Sequence, residues 1–492
     1  MELLIGESPI FHPIKKNKTK TPADIILVPV FILLYIDFGT TLLYKEIIKD
    51  FIYSKITITE IANQIIIQYI IWQGEKIIMI FPGSAILRDT VTMLLAGGQG
   101  ERLYPLTAYR SKPSVPFGGK YRIIDFALSN CLNSGLRKIY VLTQYKSDSL
   151  NQHLLEAWSI FNPELGEFIY SIPPQRKMNN DWYLGTSNAI YQNINLFSSD
   201  KKARWVLILS GDHIYKMDYL KLLQYHIDMK ADLSISCIEV PKEEASRFGI
   251  VGVDKNYKVN SFIEKPANPP VIPDNPESSF VNMGIYVFNA TALRDIMQDM
   301  EQKKIKSHDF GQDIIPYMVK SNLNVFAYKF FDENKKMKPY WKDIGTIDSY
   351  FEASMDLISV TPEFNFYDFS WPMRTYQYQS PPAKTVSHEG ERVGRTLNSL
   401  ICDGTIVSGG LVERSLLGPG VRVNSFSYIV DSIIMNNTNI GRHARIRRAI
   451  IDKNVVVPEG YEIGFDLEGD KKKFTVTESG IVVIGKNRVL SN

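Results

Sequence analysis

Short apolar runs that lead into glycine or charged residues are the main pattern of the sequence from residue 90 onward. Residues 90–95 and 205–210 are such runs, and residues 258–263 are a further predicted strand. The last two segments each end two residues before a charged side chain, Asp212 and Lys265. Continuous apolar runs of this length are typical of buried strands in a parallel sheet. Because ligands of open α/β sheets bind at the carboxyl ends of the strands, we expect the chemistry of this domain there.

Near residue 400 the apolar pattern changes its period. Apolar residues recur in steps of six within triplets, and matching members of successive triplets lie seventeen residues apart, at Leu400, Ile406, Val412; Leu417, Val423, Ile429; Ile434, Ile440, Ile446; and Ile451, Val457, Ile463. Neither the 3.6-residue period of a helix nor the 2.0-residue period of a strand explains this spacing. A chain that makes three short faces per turn does explain it, so the pattern predicts a β-helix of four rungs.

These patterns predict the division of the chain after residue 86. We assign residues 87–360 to a catalytic domain and residues 399–466 to the β-helix. The aromatic, proline-rich residues 361–398 are interpreted as a linker packed against the first domain, and residues 467–492 as a C-terminal tail.

Residues 1–86 differ from the rest of the chain in composition and pattern, because they are rich in isoleucine and their apolar residues show only weak periodicity. Four lysines between residues 15 and 20 precede an apolar run, residues 25–36, which has the outline of a signal peptide. No A-x-A cleavage site follows, and the run is shorter than the ~20 residues that span a bilayer. We interpret residues 1–86 as an extension, with Met79 as a candidate natural start. Secretion and membrane anchoring remain alternatives.

Composition limits the class of protein. The chain has 492 residues, far beyond the roughly 250–300 at which a single core stops growing, so two or three domains are expected. Apolar residues make up 45% and charged residues 22%, which excludes a disordered chain, and a net charge of +3 does not favour nucleic-acid binding. Three cysteines cannot form a disulfide framework and fit a reducing compartment. We therefore expect a cytoplasmic, multidomain enzyme.

The glycine-rich segment that follows residues 90–95 predicts a phosphate-binding loop. Its sequence, AGGQGERL, lets backbone N–H groups approach an anion, and Arg102 adds a fork of donors. The dinucleotide fingerprint G-x-G-x-x-G fails because Leu103 stands where the third glycine belongs, and the Walker pattern fails at Ser114. The loop alone would leave an ordinary strand-to-helix turn as an equal alternative.

The residues around this loop resemble the sugar-1-phosphate nucleotidylyltransferases, and within them the glucose-1-phosphate adenylyltransferases (ADP-glucose pyrophosphorylases). The phrase FGGKYRIIDFALSNCLN at residues 117–133 is close to a signature of that family. The likeness covers residues 88–490 and continues in motifs at residues 141–145, 181–186, 210–215, 262–266, 307–311 and 340–346. It implies a Rossmann-like mixed sheet followed by a left-handed parallel β-helix. It also implies the reaction of ATP with glucose 1-phosphate to ADP-glucose and pyrophosphate, for glycogen synthesis.

The resemblance assigns roles to particular side chains. Catalytic roles fall on Arg102, Lys112, Asp212, Lys265 and Asp343, with Asp212 and Asp343 as the pair that binds Mg²⁺. Contacts to glucose 1-phosphate fall on Tyr183, Gly249, Glu264, Lys265 and Asn282. Contacts to ATP fall on Gly97, Gly98, Gly100, Arg102, Lys112, Gln144, Gly185 and Thr186.

Relatives also suggest a homotetramer and phosphorylated allosteric effectors that bind where the β-helix meets the catalytic domain. The candidate effector residues are Arg110, Arg122, Lys453 and Lys486. Tyr109 replaces a lysine that is common in bacterial relatives. The chain departs from the family pattern at four further positions, Glu101, Leu184, Asn188 and Asn282.

Three alternatives stay open from the sequence. The same fold transfers uridylyl, thymidylyl or guanylyl groups in related enzymes. The chain could also be a regulatory subunit with a weakened site, although retention of Lys112, Asp212, Lys265 and Asp343 together argues against that reading. Acyl transfer by the β-helix is disfavoured, because four rungs with a single histidine, His443, make a poor acyl-CoA site.

Overall fold

The computed structural model describes residues 70–73, 76–79, 82–174, 182–200, 202–303, 305, 309–336, 339–388, 390 and 392–491. The chain divides into two units, Met1–Phe81 and Pro82–Asn492. In the first unit, two strands pair antiparallel with Ile70 opposite Met79. The signal-like run at residues 25–36 lies outside the described residues. Among the helices that are described, none is both long and apolar enough to cross a bilayer.

The strands that precede the β-helix are short, with one exception of twelve residues. In chain order they are β1 Ile70–Gln73, β2 Lys76–Met79, β3 Thr90–Ala96, β4 Pro116–Phe117, β5 Tyr121–Arg122, β6 Lys138–Thr143, β7 Phe168–Ile172, β8 Trp205–Ser210, β9 His213–Tyr215, β10 Leu233–Pro241, β11 Gly249–Val253, β12 Val259–Glu264, β13 Ser278–Asn289, β14 Val325–Lys329 and β15 Trp341–Asp343. The helices are α1 Pro82–Arg88, α2 Ile124–Asn133, α3 Asp148–Trp158, α4 Thr186–Gln192, α5 Asn195–Ser198, α6 Tyr219–Asp228, α7 Lys242–Ala245, α8 Ala290–Gln302, α9 Ile315–Lys320, α10 Ile347–Asp356 and α11 Leu467–Lys473.

Nine of these strands form one mixed sheet in the order β12-β11-β13-β8-β3-β6-β7, with β10 joining β13 to β14. The centre is parallel, because β3 pairs parallel with both β6 and β8, and β13 then runs antiparallel to β8. Helices cover both faces. Alternate side chains of β3 enter different cores, with Leu94 and Ala96 in one and Val91 and Met93 in the other. This alternation is the two-residue period of a strand buried on both sides, and the predicted α/β class is confirmed.

The start of this domain lies earlier than residue 87. Helix α1 spans the predicted boundary, and its Ile86 side chain is buried in the core of the sheet. The backbone oxygen of Ile86 also accepts a hydrogen bond from the Thr90 hydroxyl at 2.7 Å. Because burial of Ile86 ties α1 to the sheet, the helix belongs to the unit that starts at Pro82.

The C-terminal part coils into three sheets of short parallel strands. They are β16 Lys384–Val386, β17 Arg395–Leu397, β18 Leu400–Ile401, β19 Ile406–Ser408, β20 Leu411–Glu413, β21 Leu416–Leu417, β22 Arg422–Val423, β23 Tyr428–Val430, β24 Ile433–Ile434, β25 Asn439–Ile440, β26 Arg445–Arg447, β27 Ala449–Ile451, β28 Val456–Val457, β29 Glu462–Ile463, β30 Thr475–Val476 and β31 Val482–Ile484. Each sheet holds five parallel strands among the described residues, and β30 adds an antiparallel edge strand to one of them. The arrangement is consistent with the expected left-handed β-helix.

The β-helix is longer than predicted at both ends. Strand β16 pairs with β19, and β31 pairs with β27, so the ladders extend beyond residues 399–466 and include a fifth coil. The predicted triplets are also wrong by one residue at two positions of the first coil. There the residues aligned with the inward side chains of the next coil are Ile401 and Val407 instead of Leu400 and Ile406. Burial agrees, because Val407 is buried and Ile406 is not.

One apolar core joins the β-helix to the catalytic domain. Phe126 and Tyr350 of the catalytic domain share this core with Leu416 and Ile450 of the β-helix. The predicted linker contributes Phe364, whose ring contacts that of Phe126 at a centroid distance of 5.4 Å and which is completely buried. The linker is therefore packed against the catalytic domain, as its aromatic composition predicts.

Candidate active site

The carboxyl ends of three neighbouring strands bring the predicted nucleotide site together. In the ladders of β3, Leu95 lies opposite Ser210 of β8 and Ala96 opposite Thr143 of β6. The segments that follow carry the glycine loop, Asp212 and Gln144. The backbone N–H of Gly211 donates to the oxygen of Leu95 at 2.9 Å, and a Cβ on Gly211 would lie 3.0 Å from that oxygen. Glycine therefore permits this close approach directly before Asp212.

A short antiparallel ladder brings Asp343 to Asp212. Strands β9 and β15 pair so that Asp343 lies opposite His213. The buried amide of Asn130 in α2 holds the far end of β9, since its Nδ2 donates to the oxygen of Tyr215 at 3.1 Å and its Oδ1 accepts from the N–H of Met217 at 3.2 Å. The fold thus places two carboxylates that are far apart in sequence at one end of the central sheet.

Lys112 lies between these two carboxylates. Its Nζ donates to Oδ2 of Asp212 and to Oδ1 of Asp343, both at 2.8 Å. The resemblance predicted that Lys112 holds the triphosphate, whereas here its ammonium neutralises the acidic pair. This contact could not be predicted from the sequence, because the three residues come from segments that are far apart in the chain.

The charges in this cluster stabilise one another. Burial alone would raise the pKa of Asp212, but the Lys112 ammonium and His213 oppose it, and the net effect holds that pKa well below its ordinary value. Burial likewise lowers the pKa of Lys112, and attraction to both carboxylates outweighs it and raises the pKa overall. Asp212 and Lys112 are therefore both charged at neutral pH.

His213 is a neighbour of the acidic pair that the sequence analysis did not assign. Its Nε2 lies 3.4 Å from Oδ1 of Asp212 and 4.0 Å from Oδ1 of Asp343, and its Nδ1 is buried without a hydrogen-bond partner. Its position directly after Asp212 was the signal available in the sequence.

The donor set fits a divalent cation. Asp212, His213 and Asp343 each offer one ligand atom, and these atoms lie within 4.8 Å of one another. Mg²⁺ prefers oxygen ligands and commonly takes one or two carboxylates together with substrate phosphates. The two carboxylates therefore meet the requirement of a Mg²⁺ site in which the phosphates supply the remaining ligands.

The glycine loop adjoins Lys112. Gly100 has a φ of +67°, and a Cβ on it would lie 2.9 Å from the Cβ of Lys112. A Cβ on Gly98 would meet no atom within 4 Å, so an incoming ligand can approach the backbone there. Arg102 lies near the segment of the second carboxylate, since its Nη2 would lie 3.0 Å from a Cβ on Gly345, two residues after Asp343. The predicted phosphate-binding residues are thus brought together around Lys112.

The residues predicted to face the base are tied to the loop. Gln144 donates from Nε2 to the oxygen of Tyr183 at 3.2 Å, and its Cβ would lie 3.0 Å from a Cβ on Gly97. The turn at Gly185-Thr186 begins α4, and the Thr186 hydroxyl donates to Oδ2 of Asp309 at 3.0 Å. Other motif residues predicted nearby, Asp181, Ser307 and His308, lie outside the described residues.

Ring contacts of Trp341 connect the predicted sugar-phosphate residues to the acidic pair. Gly249 and Glu264 lie opposite each other in the ladder of β11 and β12, and Lys265 follows with 66% of its side chain exposed. The backbone N–H of Lys265 donates to the oxygen of Phe248 at 3.0 Å. The Trp341 ring contacts those of Phe248 and His213, at centroid distances of 6.0 and 4.9 Å. This ring links the lysine segment to the acidic pair.

Two predicted sugar contacts are already engaged within the protein. The ring of Tyr183 is buried, and its hydroxyl accepts from Nδ2 of Asn193 at 2.9 Å. The amide of Asn282 donates to the hydroxyl of Tyr286 at 2.8 Å and accepts from the N–H of Gly284 at 3.0 Å. Asn282 is thus oriented by residues of its own strand. Gly284 of that strand lies near the acidic pair, since a Cβ on it would be 3.7 Å from Cε1 of His213.

The four candidate effector residues do not share one environment. Arg110 is buried, and its Nη2 donates to both oxygens of Asp452, at 2.8 and 2.6 Å. The guanidinium thus forms a buried ion pair between the catalytic domain and the β-helix, while its Nη1 is buried without a hydrogen-bond partner, and the effector role of Arg110 stays a prediction. Lys486 lies over the ring of Tyr109, 5.4 Å from its centroid.

Arg122 and Lys453 instead line a small cavity where the β-helix meets the catalytic domain. Lys120 and His153 contribute further basic groups to its wall. Burial, together with repulsion from Arg122 and Arg110, lowers the pKa of Lys453 to about 7. A cavity with this lining suits an anionic ligand.

Comparison with known proteins gives two family matches along the chain. The family described as "Nucleotidyl transferase" matches residues 91–360. The family described as "GlmU-like, C-terminal hexapeptide" matches residues 381–484. The first match contains both carboxylates and Lys112, and the second covers the coils of the β-helix.

Individual relatives resemble most of the chain. The "Glucose-1-phosphate adenylyltransferase" of Koribacter versatilis is 50% identical over 401 residues, which is 81% of this chain and 96% of the relative. The protein of the same name from Methylococcus capsulatus is 47% identical over 82% of this chain and 94% of the relative. The "Glucose-1-phosphate adenylyltransferase 2" of Vibrio cholerae is 47% identical over 81% of this chain and 98% of the relative.

Proposed function

Since this chain belongs to the glucose-1-phosphate adenylyltransferase family, we propose that it transfers the adenylyl group of ATP to glucose 1-phosphate, giving ADP-glucose and pyrophosphate. Asp212 and Asp343 are the pair proposed to hold Mg²⁺. The observation that carries the proposal is the convergence of these two carboxylates beside the glycine loop. Glycogen synthesis is the expected use of the product.

The chemistry requires two anionic substrates to be held together while charge develops on the α-phosphate. When bound, Mg²⁺ supplies charge neutralisation and orientation of the phosphates. Arg102 and the N–H groups of the loop would hold the triphosphate, and Lys265 the phosphate of the sugar. The sugar-phosphate oxygen then attacks the α-phosphorus in line, the bond to the β-phosphate oxygen breaks, and pyrophosphate leaves. The protein contributes positioning and electrostatic stabilisation.

The direct test is release of pyrophosphate by the purified full chain from ATP, glucose 1-phosphate and Mg²⁺, compared with UTP, dTTP and GTP in place of ATP. We expect ATP to be preferred. Preference for another nucleotide would assign the chain to a different specificity within the same fold. Absence of turnover with all four would support the regulatory-subunit alternative instead.

Replacing Lys265 by alanine is expected to raise KM for glucose 1-phosphate by about tenfold or more and to leave KM for ATP nearly unchanged, because one charge-assisted contact to the sugar phosphate is lost. Initial-rate kinetics with each substrate varied in turn measure the split. Lys255→Ala is the matched control, since Lys255 is an exposed lysine at the other end of the same pair of strands. Equal increases in both constants would contradict the assigned role of Lys265.

We also propose that the basic cavity lined by Arg122 and Lys453 binds a phosphorylated effector. Its position between the two domains would let a ligand act on their packing. The lowered pKa of Lys453 supports this, because a bound phosphate would restore the charged form of that ammonium. A homotetramer is proposed on the family resemblance alone.

The Lys453 ammonium implies a pH dependence of effector binding. With a pKa of about 7, Lys453 is charged below pH 7 and becomes neutral as the pH rises, so the affinity for a phosphate dianion should fall by up to about tenfold per pH unit between pH 7.5 and 9. Calorimetric titration with a hexose bisphosphate and with AMP measures this. Lys453→Met should remove the dependence, and the exposed Lys472→Met should keep it. A flat profile in the wild type would contradict the role of Lys453.

A further inference from the structure

We propose that Lys112 is an internal counter-ion that closes the divalent-cation site until the nucleotide arrives, so that the cation and the triphosphate enter together. This inference rests on the proposed role of Asp212 and Asp343 as the cation-binding pair. It goes beyond that role, because it assigns to Lys112 a movement between two anionic partners.

The geometry of the acidic pair is the starting point. One ammonium group lies 2.8 Å from an oxygen of each carboxylate, and only 9% of the Lys112 side chain is exposed. Two carboxylates held this close together repel each other unless a cation lies between them. In the free enzyme Lys112 supplies that cation.

Lys112 holds one oxygen atom of each carboxylate, Oδ2 of Asp212 and Oδ1 of Asp343. Asp212 has its other oxygen, Oδ1, engaged by the hydroxyl of Ser210. Asp343 directs Oδ1 towards both Lys112 and Nε2 of His213. A cation that draws on both carboxylates therefore competes with the ammonium for the position between them, and it is repelled while the ammonium stays there.

The nucleotide offers Lys112 a second anionic partner. The glycine loop packs against Lys112 at Gly100, and the backbone at Gly98 is open to a ligand. A triphosphate bound along this loop would bring oxygens within reach of the ammonium, which can then leave the carboxylates without losing an ion pair. The exchange balances the charge at each step, because the incoming cation replaces the ammonium between the carboxylates.

The test measures binding of Mn²⁺ to the full chain without nucleotide, using the electron paramagnetic resonance signal of the free ion. Wild type is expected to bind weakly at the acidic pair. Lys112→Met should bind Mn²⁺ about tenfold more tightly or better, because the competing charge is gone. Lys112→Gln, which keeps an amide donor between the carboxylates, should show the same gain and covers the case in which the methionine variant does not fold.

Lys342→Met is the matched control. Lys342 lies next to Asp343 in β15 but is half-exposed and interacts with Glu363, so its loss removes the same charge without freeing the carboxylates. Its Mn²⁺ affinity should stay within about twofold of wild type, since the effect of an exposed charge is screened. Adding Asp212→Asn to Lys112→Met should cancel the gain.

Unchanged Mn²⁺ affinity in both Lys112 variants would overturn the proposal, and so would an equal gain in Lys342→Met. Failure of the underlying function is recognised separately, by full turnover of Asp212→Asn in the pyrophosphate assay. The two results come from different measurements, so the role of Lys112 and the role of the acidic pair are judged independently.

Discussion

Asp212→Asn is expected to lower kcat for ADP-glucose formation by about a thousandfold or more, at every Mg²⁺ concentration. The amide keeps the shape of the side chain but removes the negative charge that is proposed to hold the cation. Loss of one group that acts on the developing charge of a transition state typically costs 10²–10³ in kcat, and here the neighbouring Lys112 also loses one of its two partners. The measurement is pyrophosphate release at saturating substrates over a range of Mg²⁺ concentrations.

Asp274→Asn is the control for this experiment, because Asp274 is an exposed aspartate of the same domain. It should retain wild-type turnover. If Asp212→Asn also kept near-wild-type turnover, Asp212 would be removed from the cation site. If added Mg²⁺ restored its rate fully, the carboxylate would contribute to affinity for the cation only, and the expected loss in kcat would be contradicted.

Asp452→Ala is expected to destabilise the protein by about 3–5 kcal/mol, because it leaves the guanidinium of Arg110 buried without its counter-charge. The side chains of Arg110 and Asp452 are only 4% and 1% exposed, and they join the catalytic domain to the β-helix. Asp452 also accepts from the backbone N–H of Lys453 at 2.7 Å. Urea unfolding followed by circular dichroism measures the loss as a lower midpoint.

Glu462→Ala supplies the matched control. Glu462 forms an ion pair with Arg445 at 2.6 Å within the same β-helix, but the two side chains are 49% and 50% exposed. Solvent screens such a pair, and its removal should cost about 1 kcal/mol or less. Equal destabilisation by the two substitutions would contradict the view that burial decides the effect.

Much of the catalytic fold could be predicted from local patterns. The run Trp205–Ser210 is a strand of the central sheet, and the predicted neighbourhood of the glycine loop and Asp212 follows from parallel pairing. Prediction was possible because a strand buried on both faces must be apolar throughout, and because all parallel strands end at the same edge.

In the β-helix, the apolar repeat predicts the central coils but not the N-terminal end. The repeat from Leu417 to Ile463 places every predicted apolar residue inside the coil. The strand before the first predicted triplet was missed because β16 carries the exposed residues Lys384 and Thr385, which follow no apolar period. Once the period is lost at an end coil, only the backbone ladder to β19 identifies it.

The sequence by itself determined the two architectures, the glycine loop and the residue types available for phosphate chemistry, because the period of burial and the need for glycine are local properties of the chain. Only the tertiary structure decided which charges meet. It placed Lys112 between Asp212 and Asp343 and committed Arg110 to Asp452. The physical reason is that ion pairs depend on distance and burial in space, and neither can be read from positions that lie a hundred or more residues apart.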